Sequence, residues 1–369
     1  MRIESIDVYH VRMRLQAPFE TSFGVEHDRD ALILRVRSDG LEGWGECVAG
    51  SFPGYSYETV VTAWHVLEDF FLPAILGHEV SGIEGFRDRI HAYKGHPLAR
   101  AGLELGLWDL LARAKGVALS HLLGGSLRKV PVGVSVGIQA DRSILLGVVD
   151  EYLDAGYRRV KLKIKPGRDV EFVAAVRDAH PDLMLQVDAN SAYDLKDAPV
   201  FEAMDSMRLL LIEQPLAEDD LLDHAALQKR LSTAICLDES ILSARHARQA
   251  LDGGACRVIN IKPARLGGLS EAVAVHDVCR ARGVPVWCGG MLETGIGRAS
   301  NLALASLPGF TLPGDISASD RYYAEDIAWP RFTLNPDSTI DVPTGPGLGI
   351  EIDPAALQKV TLRSQTFNG

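Results

Sequence analysis

The chain has 369 residues, 47% hydrophobic and 24% charged, an ordinary balance for a globular protein with a sizeable core, and it is too long for one small domain. Its 38 Lys and Arg against 49 Asp and Glu give a net charge of −11 without any long basic run, which argues against a nucleic-acid partner. Five scattered cysteines match no metal or redox spacing, no apolar run approaches the roughly 18 residues of a membrane span, and the first residues lack the apolar stretch of a signal peptide. A reduced, cytoplasmic protein without a membrane partner is the expectation.

Strand-like alternation covers 3–14, 31–37 and 43–48, and helical periodicity follows from about Ser56 to Lys115. Strands followed by helices predict a small α+β domain, with Leu122-Leu123-Gly124-Gly125 as its exit. From Val130 on, short Val/Ile/Leu runs alternate with amphipathic stretches, at 131–138, 159–164, 183–187, 209–212, 234–237, 257–261 and 284–287. Such continuous runs read as parallel strands covered on both faces, hence a βα series closed as a barrel or open as a doubly wound sheet. Beyond Pro330, strand-like pieces at 331–334 and 348–352 lose the rhythm, and this tail is expected to return to the N-terminal domain. The expected organisation is 1–125, 126–330 and 331–369.

Lys163, Asp188, Glu213, Asp238 and Lys262 each close one of these runs, at separations of 25, 25, 25 and 24 residues. Polar loops would explain one or two charged strand ends, but not one register held through five units. A repeated βα unit places all five side chains at the carboxyl edge of neighbouring strands, where barrel active sites lie.

Three carboxylates cannot crowd together without positive charge between them. Asp188, Glu213 and Asp238 therefore predict a hard divalent cation, Mg²⁺ with Mn²⁺ as the alternative, since no His or Cys falls at these ends to favour zinc. Lys163 and Lys262 flank the triad and would face each other across a ring, as acid/base groups at the carbon next to a bound carboxylate. Lys161, two residues before Lys163, and Arg265, three after Lys262, would lower the lysine pKa values as neighbouring cations, and Lys161 would also bind a substrate carboxylate oxygen; both also read as solvated surface charges. Glu239 is expected on the opposite strand face from Asp238, outside the ligand set. Glu293 and Asp320 read as structural, and the histidines receive no role.

Lys161-Leu162-Lys163, Asp188-Ala189-Asn190, Glu213-Gln214-Pro215, Asp238-Glu239-Ser240 and Lys262-Pro263 together resemble the muconate-lactonising-enzyme subgroup of the enolase superfamily. That superfamily is known for a Lys or His base working with Mg²⁺. The resemblance implies a modified (β/α)₇β TIM-like barrel with an N-terminal α+β capping domain. Segments 17–24, 43–47, 133–138 and 285–291 are similar to the o-succinylbenzoate synthase/N-acylamino acid racemase branch, while 48–57 departs from it.

The branch implies that Asp188, Glu213 and Asp238 bind the metal and that Lys163 and Lys262 form the acid/base pair. It implies Phe19 and Phe23 on a capping loop, and Ser135, Asn190, Gly290 and Met291 lining the pocket. Phe19 and Phe23 also read as apolar loop anchors, and Ser135 as a group satisfying nearby backbone. The implied activities are racemisation of N-succinyl or other N-acyl amino acids and the dehydration that yields o-succinylbenzoate in menaquinone biosynthesis. Dipeptide epimerisation and muconate cycloisomerisation use the same scheme. A non-catalytic scaffold would not need both lysines and all three carboxylates. A small carboxylate substrate and a homo-oligomer are implied as partners.

Overall fold

The structure is a computed structural model and describes residues 1–369. Alternation makes a long hairpin of β1 (Ser5–Thr21) and β2 (Gly24–Ser38), in which Val11, Met13 and Leu15 are buried and Arg12 and Arg14 exposed. β3 (Leu41–Cys47) pairs with β2, and the final strand, Thr361–Asn368, pairs with β1, giving a four-stranded antiparallel sheet. β1 runs past the expected end at 14 because its pairing breaks after Arg14 and resumes at Phe19 with Glu26. That irregularity, with Pro18 inside it, hides the period from the sequence. The expected capping loop is thus the tip of this hairpin, with Phe19 on β1 and Phe23 at the turn.

The helix Pro97–Ala114 lies against β3 through glycines on both partners. A Cβ on Gly45 would overlap the Gly102 carbonyl, and one on Gly102 would fall 2.7 Å from Cys47 Cβ. Buried Asp109 on this helix accepts from the backbone N–H of Trp44 and Leu348, at 2.8 and 2.7 Å, which ties the helix to β3 and to the tail.

After the short β4 (Lys129–Pro131) come seven parallel strands, hydrogen-bonded in chain order: β5 (Val134–Val136), β6 (Arg159–Lys163), β7 (Met184–Asp188), β8 (Ile212–Glu213), β9 (Ile235–Leu237), β10 (Val258–Ile261) and β11 (Val286–Cys288). Segment 310–315 completes the ring. The N–H groups of Thr311 and Asp315 bond to Val286 and Cys288 carbonyls on one side, at 3.2 and 2.9 Å. On the other side Gly133 N–H meets the Gly314 carbonyl and Gly314 N–H the Pro131 carbonyl, at 2.8 and 3.0 Å. An eighth stave therefore closes a (β/α)₇β barrel rather than an open sheet.

Below the mouth the barrel is plugged by Leu211, Cys236, Val258 and Trp287, with the Trp287 indole N–H donating to Cys236 Sγ at 3.4 Å. Of the strand-like tail pieces, 331–334 is irregular between Pro330 and Pro336, while Glu351–Ile352 pairs with Ala328–Trp329.

Candidate active site

The strand period of two puts Lys161 and Lys163 on one face of β6, pointing into the barrel. Register pairs Lys163 with Asp188 and Asp188 with Glu213, so these three ends are level, while Glu213 pairs with Cys236 and Cys236 with Val258, which carries Asp238 and Lys262 further toward the mouth. Asp238 and Lys262 follow β9 and β10 directly. Asp188, Glu213 and Asp238 are fully buried, and Lys161 and Lys262 nearly so.

Each carboxylate faces a cation. Lys163 Nζ donates to Asp188 Oδ2 and Asn190 Oδ1, both at 2.6 Å. Lys161 Nζ lies 3.0 Å from Asp188, 2.9 Å from Glu213 and 2.6 Å from Asp315. Lys262 Nζ donates to Asp238 Oδ2 at 2.6 Å, and Arg265 holds the other Asp238 oxygen.

The three carboxylates present only oxygen donors on adjacent staves, a chemistry that fits a hard divalent cation. They are not gathered into a single ligand cluster here, because each is turned onto an ammonium or guanidinium.

At Lys262 the expected depression of the pKa is not what these contacts produce. Burial acts to lower Lys161 and Lys262, but Asp315 and Glu213 beside the first and Asp238 beside the second hold both well above their ordinary value. Burial and the neighbouring Asp188 push Glu213 well up. At Asp188 burial acts upward, yet Lys163 and Lys161 outweigh it and hold the carboxyl well down.

Phe19, Phe23, Ser135, Asn190, Gly290 and Met291 line one cleft together with Lys161, Lys163 and Lys262. Several alternative readings do not hold. Lys161 and Arg265 are 2% and 3% exposed, so neither is a solvated surface charge. The buried Ser135 hydroxyl has no protein hydrogen-bond partner and satisfies no backbone group. At Gly289 a Cβ would fall 2.6 Å from Lys262 Cε, so the backbone there passes close to the lysine. Glu239 does not lie on the outer face of β9: the strand ends at Leu237, alternation lapses beyond it, and Glu239 Oε1 accepts from Asn190 Nδ2 at 2.8 Å. Burial and then the charges of Asp238 and Asp188 push Glu239 up to about 8.

Three further contributors escape the sequence reading. Tyr55, from the irregular 48–57 segment, reaches Asp238 Oδ1 with its hydroxyl at 2.9 Å, and its ring lies 4.4 Å from Lys262 Nζ. Asn260 donates to Glu213 Oε1 at 2.7 Å. Asp315 lies on the eighth stave and would have emerged from extending the strand-end rhythm, since Gly289 follows Lys262 by 27 residues and Asp315 follows Gly289 by 26.

Residues 3–124 match the "Mandelate racemase / muconate lactonizing enzyme, N-terminal domain" and residues 146–356 the "Enolase C-terminal domain-like" family. The chain belongs to the enolase superfamily, within its mandelate racemase/muconate lactonizing enzyme family. It is 47% identical over 368 residues to an o-succinylbenzoate synthase of Bacillus subtilis, covering 100% of this chain and 99% of that protein. To an N-succinylamino acid racemase of Amycolatopsis it is 51% identical over 362 residues, covering 98% of each. The solved structure of an enolase-superfamily member from Listeria innocua superposes with a TM-score of 0.95 at 40% identity, covering 100% of this chain and 99% of that one.

Proposed function

We propose that this enzyme removes the proton α to the carboxylate of a small substrate. The two activities are racemisation of N-succinylamino acids and other N-acylamino acids, and dehydration of 2-succinyl-6-hydroxy-2,4-cyclohexadiene-1-carboxylate to o-succinylbenzoate. The second is a step of menaquinone biosynthesis. The observation that carries the proposal is the placement of the lysines. Lys163 on β6 and Lys262 after β10 stand four staves apart in a ring of eight, hence opposite each other, with Asp188, Glu213 and Asp238 on the staves between.

Superfamily members use Mg²⁺, and Asp188, Glu213 and Asp238 are the residues that would hold it here. When bound, the cation supplies positive charge for the substrate carboxylate. The substrate α-carbon then lies between two lysine side chains, the base acting as the neutral amine and the acid as the ammonium. In racemisation one lysine takes the proton from one face and the other returns a proton to the opposite face, and the roles exchange with substrate chirality. In dehydration Lys163 takes the α-proton and delivers it to the departing hydroxyl on the same side, while Lys262 stabilises the developing negative charge. Phe19, Phe23 and Met291 shield the site from water, and Ser135 and Asn190 offer polar contacts to the substrate.

Proton NMR in D₂O with Mg²⁺ and N-succinyl-L-phenylalanine tests the reading, with the cyclohexadiene carboxylate followed in parallel by absorbance. α-Deuteration with formation of the D enantiomer, lost with EDTA and restored by Mg²⁺, is expected. Absence of both activities in the metal-loaded protein would overturn it.

A further inference from the structure

Glu239 is a half-buried acid that the proton transfers above do not use. Its Oε1 accepts from Asn190 Nδ2 at 2.8 Å, and Asn190 Oδ1 accepts from Lys163 Nζ at 2.6 Å. An ammonium group can only donate, and Glu239 Oε1 accepts whether the acid is ionised or carries its proton on the other oxygen. The Asn190 amide thus has one orientation that satisfies both neighbours, with oxygen toward Lys163 and nitrogen toward Glu239. The backbone reinforces it. Asn190 has a left-handed φ of 42°, its N–H donates to Asp188 Oδ1 at 3.0 Å, and its carbonyl accepts from Ser22 Oγ at the hairpin tip at 3.1 Å.

We infer that Glu239 is a positioning residue that fixes the Asn190 amide and, through it, the direction in which Lys163 presents its ammonium to the substrate. No comparable contact joins Glu239 to Lys262, whose ammonium is held by Asp238 and Tyr55. Through hydrogen bonds Glu239 therefore reaches Lys163 alone, while its charge acts on Lys262 only through space. The inference rests on the two-lysine reading and predicts an asymmetry that a general loss of structure would not produce.

The test follows α-proton exchange in D₂O from each enantiomer of an N-succinylamino acid. Glu239→Met, which removes the acceptor, is expected to lower kcat for the enantiomer that Lys163 deprotonates by about tenfold, leave the other within about twofold, and hold KM steady. Glu239→Gln, which keeps an acceptor oxygen, should recover most of the loss. In an Asn190→Ala background the further change to Met at 239 should cost nothing more, because the two residues act in one chain. Equal loss from both enantiomers, or full additivity with Asn190→Ala, overturns the inference.

A readout independent of turnover is the side-chain amide signal of Asn190 in the ¹⁵N spectrum of the Mg²⁺-loaded protein. It should move in Glu239→Met, and an unmoved signal overturns the inference as well. If the wild-type protein exchanges neither enantiomer, the two-lysine reading falls by itself and the amide signal still decides the role of Glu239.

Discussion

Asp315 Oδ2 lies 2.6 Å from Lys161 Nζ, and Asp315 Oδ1 lies 2.6 Å from the Arg159 guanidinium. One carboxylate on the closing stave thus reaches across β5 to hold two cations of β6. Removing it strands the buried Arg159 charge and leaves Lys161 only Asp188 and Glu213, and losing one partner of such a pair costs more than the pair itself contributes. Asp315→Ala is expected to destabilise the fold by about 3 kcal/mol, read as a lower urea midpoint at an unchanged slope. An unchanged midpoint would mean that Asp188 and Glu213 suffice for Lys161.

Asp315 also marks where the sequence stopped being legible. The ladder from Lys163 to Lys262 is readable because parallel strands of similar spacing carry their ends to one edge, so a period in number is a position in space. At the next unit the period falls on Gly289, which has no side chain to register, and the signal lapses one stave before Asp315. Tyr55 was hidden for a different reason. It belongs to an irregular segment of the capping domain and meets Lys262 only through tertiary packing. Glu239 was misplaced because a strand rule was carried two residues beyond the end of β9. The βα alternation left barrel and open sheet equally possible, and only the hydrogen bonds of 310–315 decide between them.

Glu46 joins the two domains. Its carboxylate, on β3, accepts from Thr294 N–H at 3.0 Å, Thr294 Oγ1 at 2.7 Å and Gly297 N–H at 2.8 Å, at the start of the barrel helix Gly295–Ala305. Burial pushes this acid up to about 7 despite those donors, with nearby Glu293 adding to the rise. Between its ordinary 4.5 and about 7 the unfolded chain releases the proton while the folded chain keeps it, so stability falls as pH rises through that window and levels off above it. The advantage of the wild-type protein over Glu46→Gln should therefore shrink by about 3 kcal/mol across the window. Urea unfolding of both proteins at its two ends measures this, and a constant difference would sink it. Glu58, also pushed up to about 7 by burial, contributes the same sign to both proteins and cancels in the comparison.

Tyr55→Phe removes the hydroxyl that lies 2.9 Å from Asp238 and 3.3 Å from Lys262 Nζ and keeps the ring. One hydrogen bond to a charged group is worth about 2 kcal/mol, so exchange from the enantiomer that Lys262 deprotonates should slow by about tenfold or more. The enantiomer affected should be the opposite of the one affected by Glu239→Met. Equal slowing of both would place Tyr55 in substrate binding instead, and a rise in KM would accompany it.

The tightest backbone approach in the capping domain is between β3 and the helix Pro97–Ala114. Gly43 and Gly45 face Gly102 and Gly106 there, and a Cβ on Gly102 would lie 2.8 Å from the Cys47 backbone nitrogen. Neither element can retreat. β3 is pinned at Glu46 to the barrel, and the helix is pinned at its Glu104, which accepts from Ser270 N–H at 3.0 Å. Gly45→Ala must therefore displace backbone rather than a side chain, and a cost of about 3 kcal/mol or more is expected, at the upper end for overpacked cores. Gly40→Ala is the control for losing a glycine. It sits in an open turn with nothing near its Cβ, though its φ of 75° adds strain of its own. If thermal unfolding shows Gly45→Ala no less stable than Gly40→Ala, the strand and helix can separate. The interdomain contacts at Glu46 and Glu104 would then not act as rigid braces.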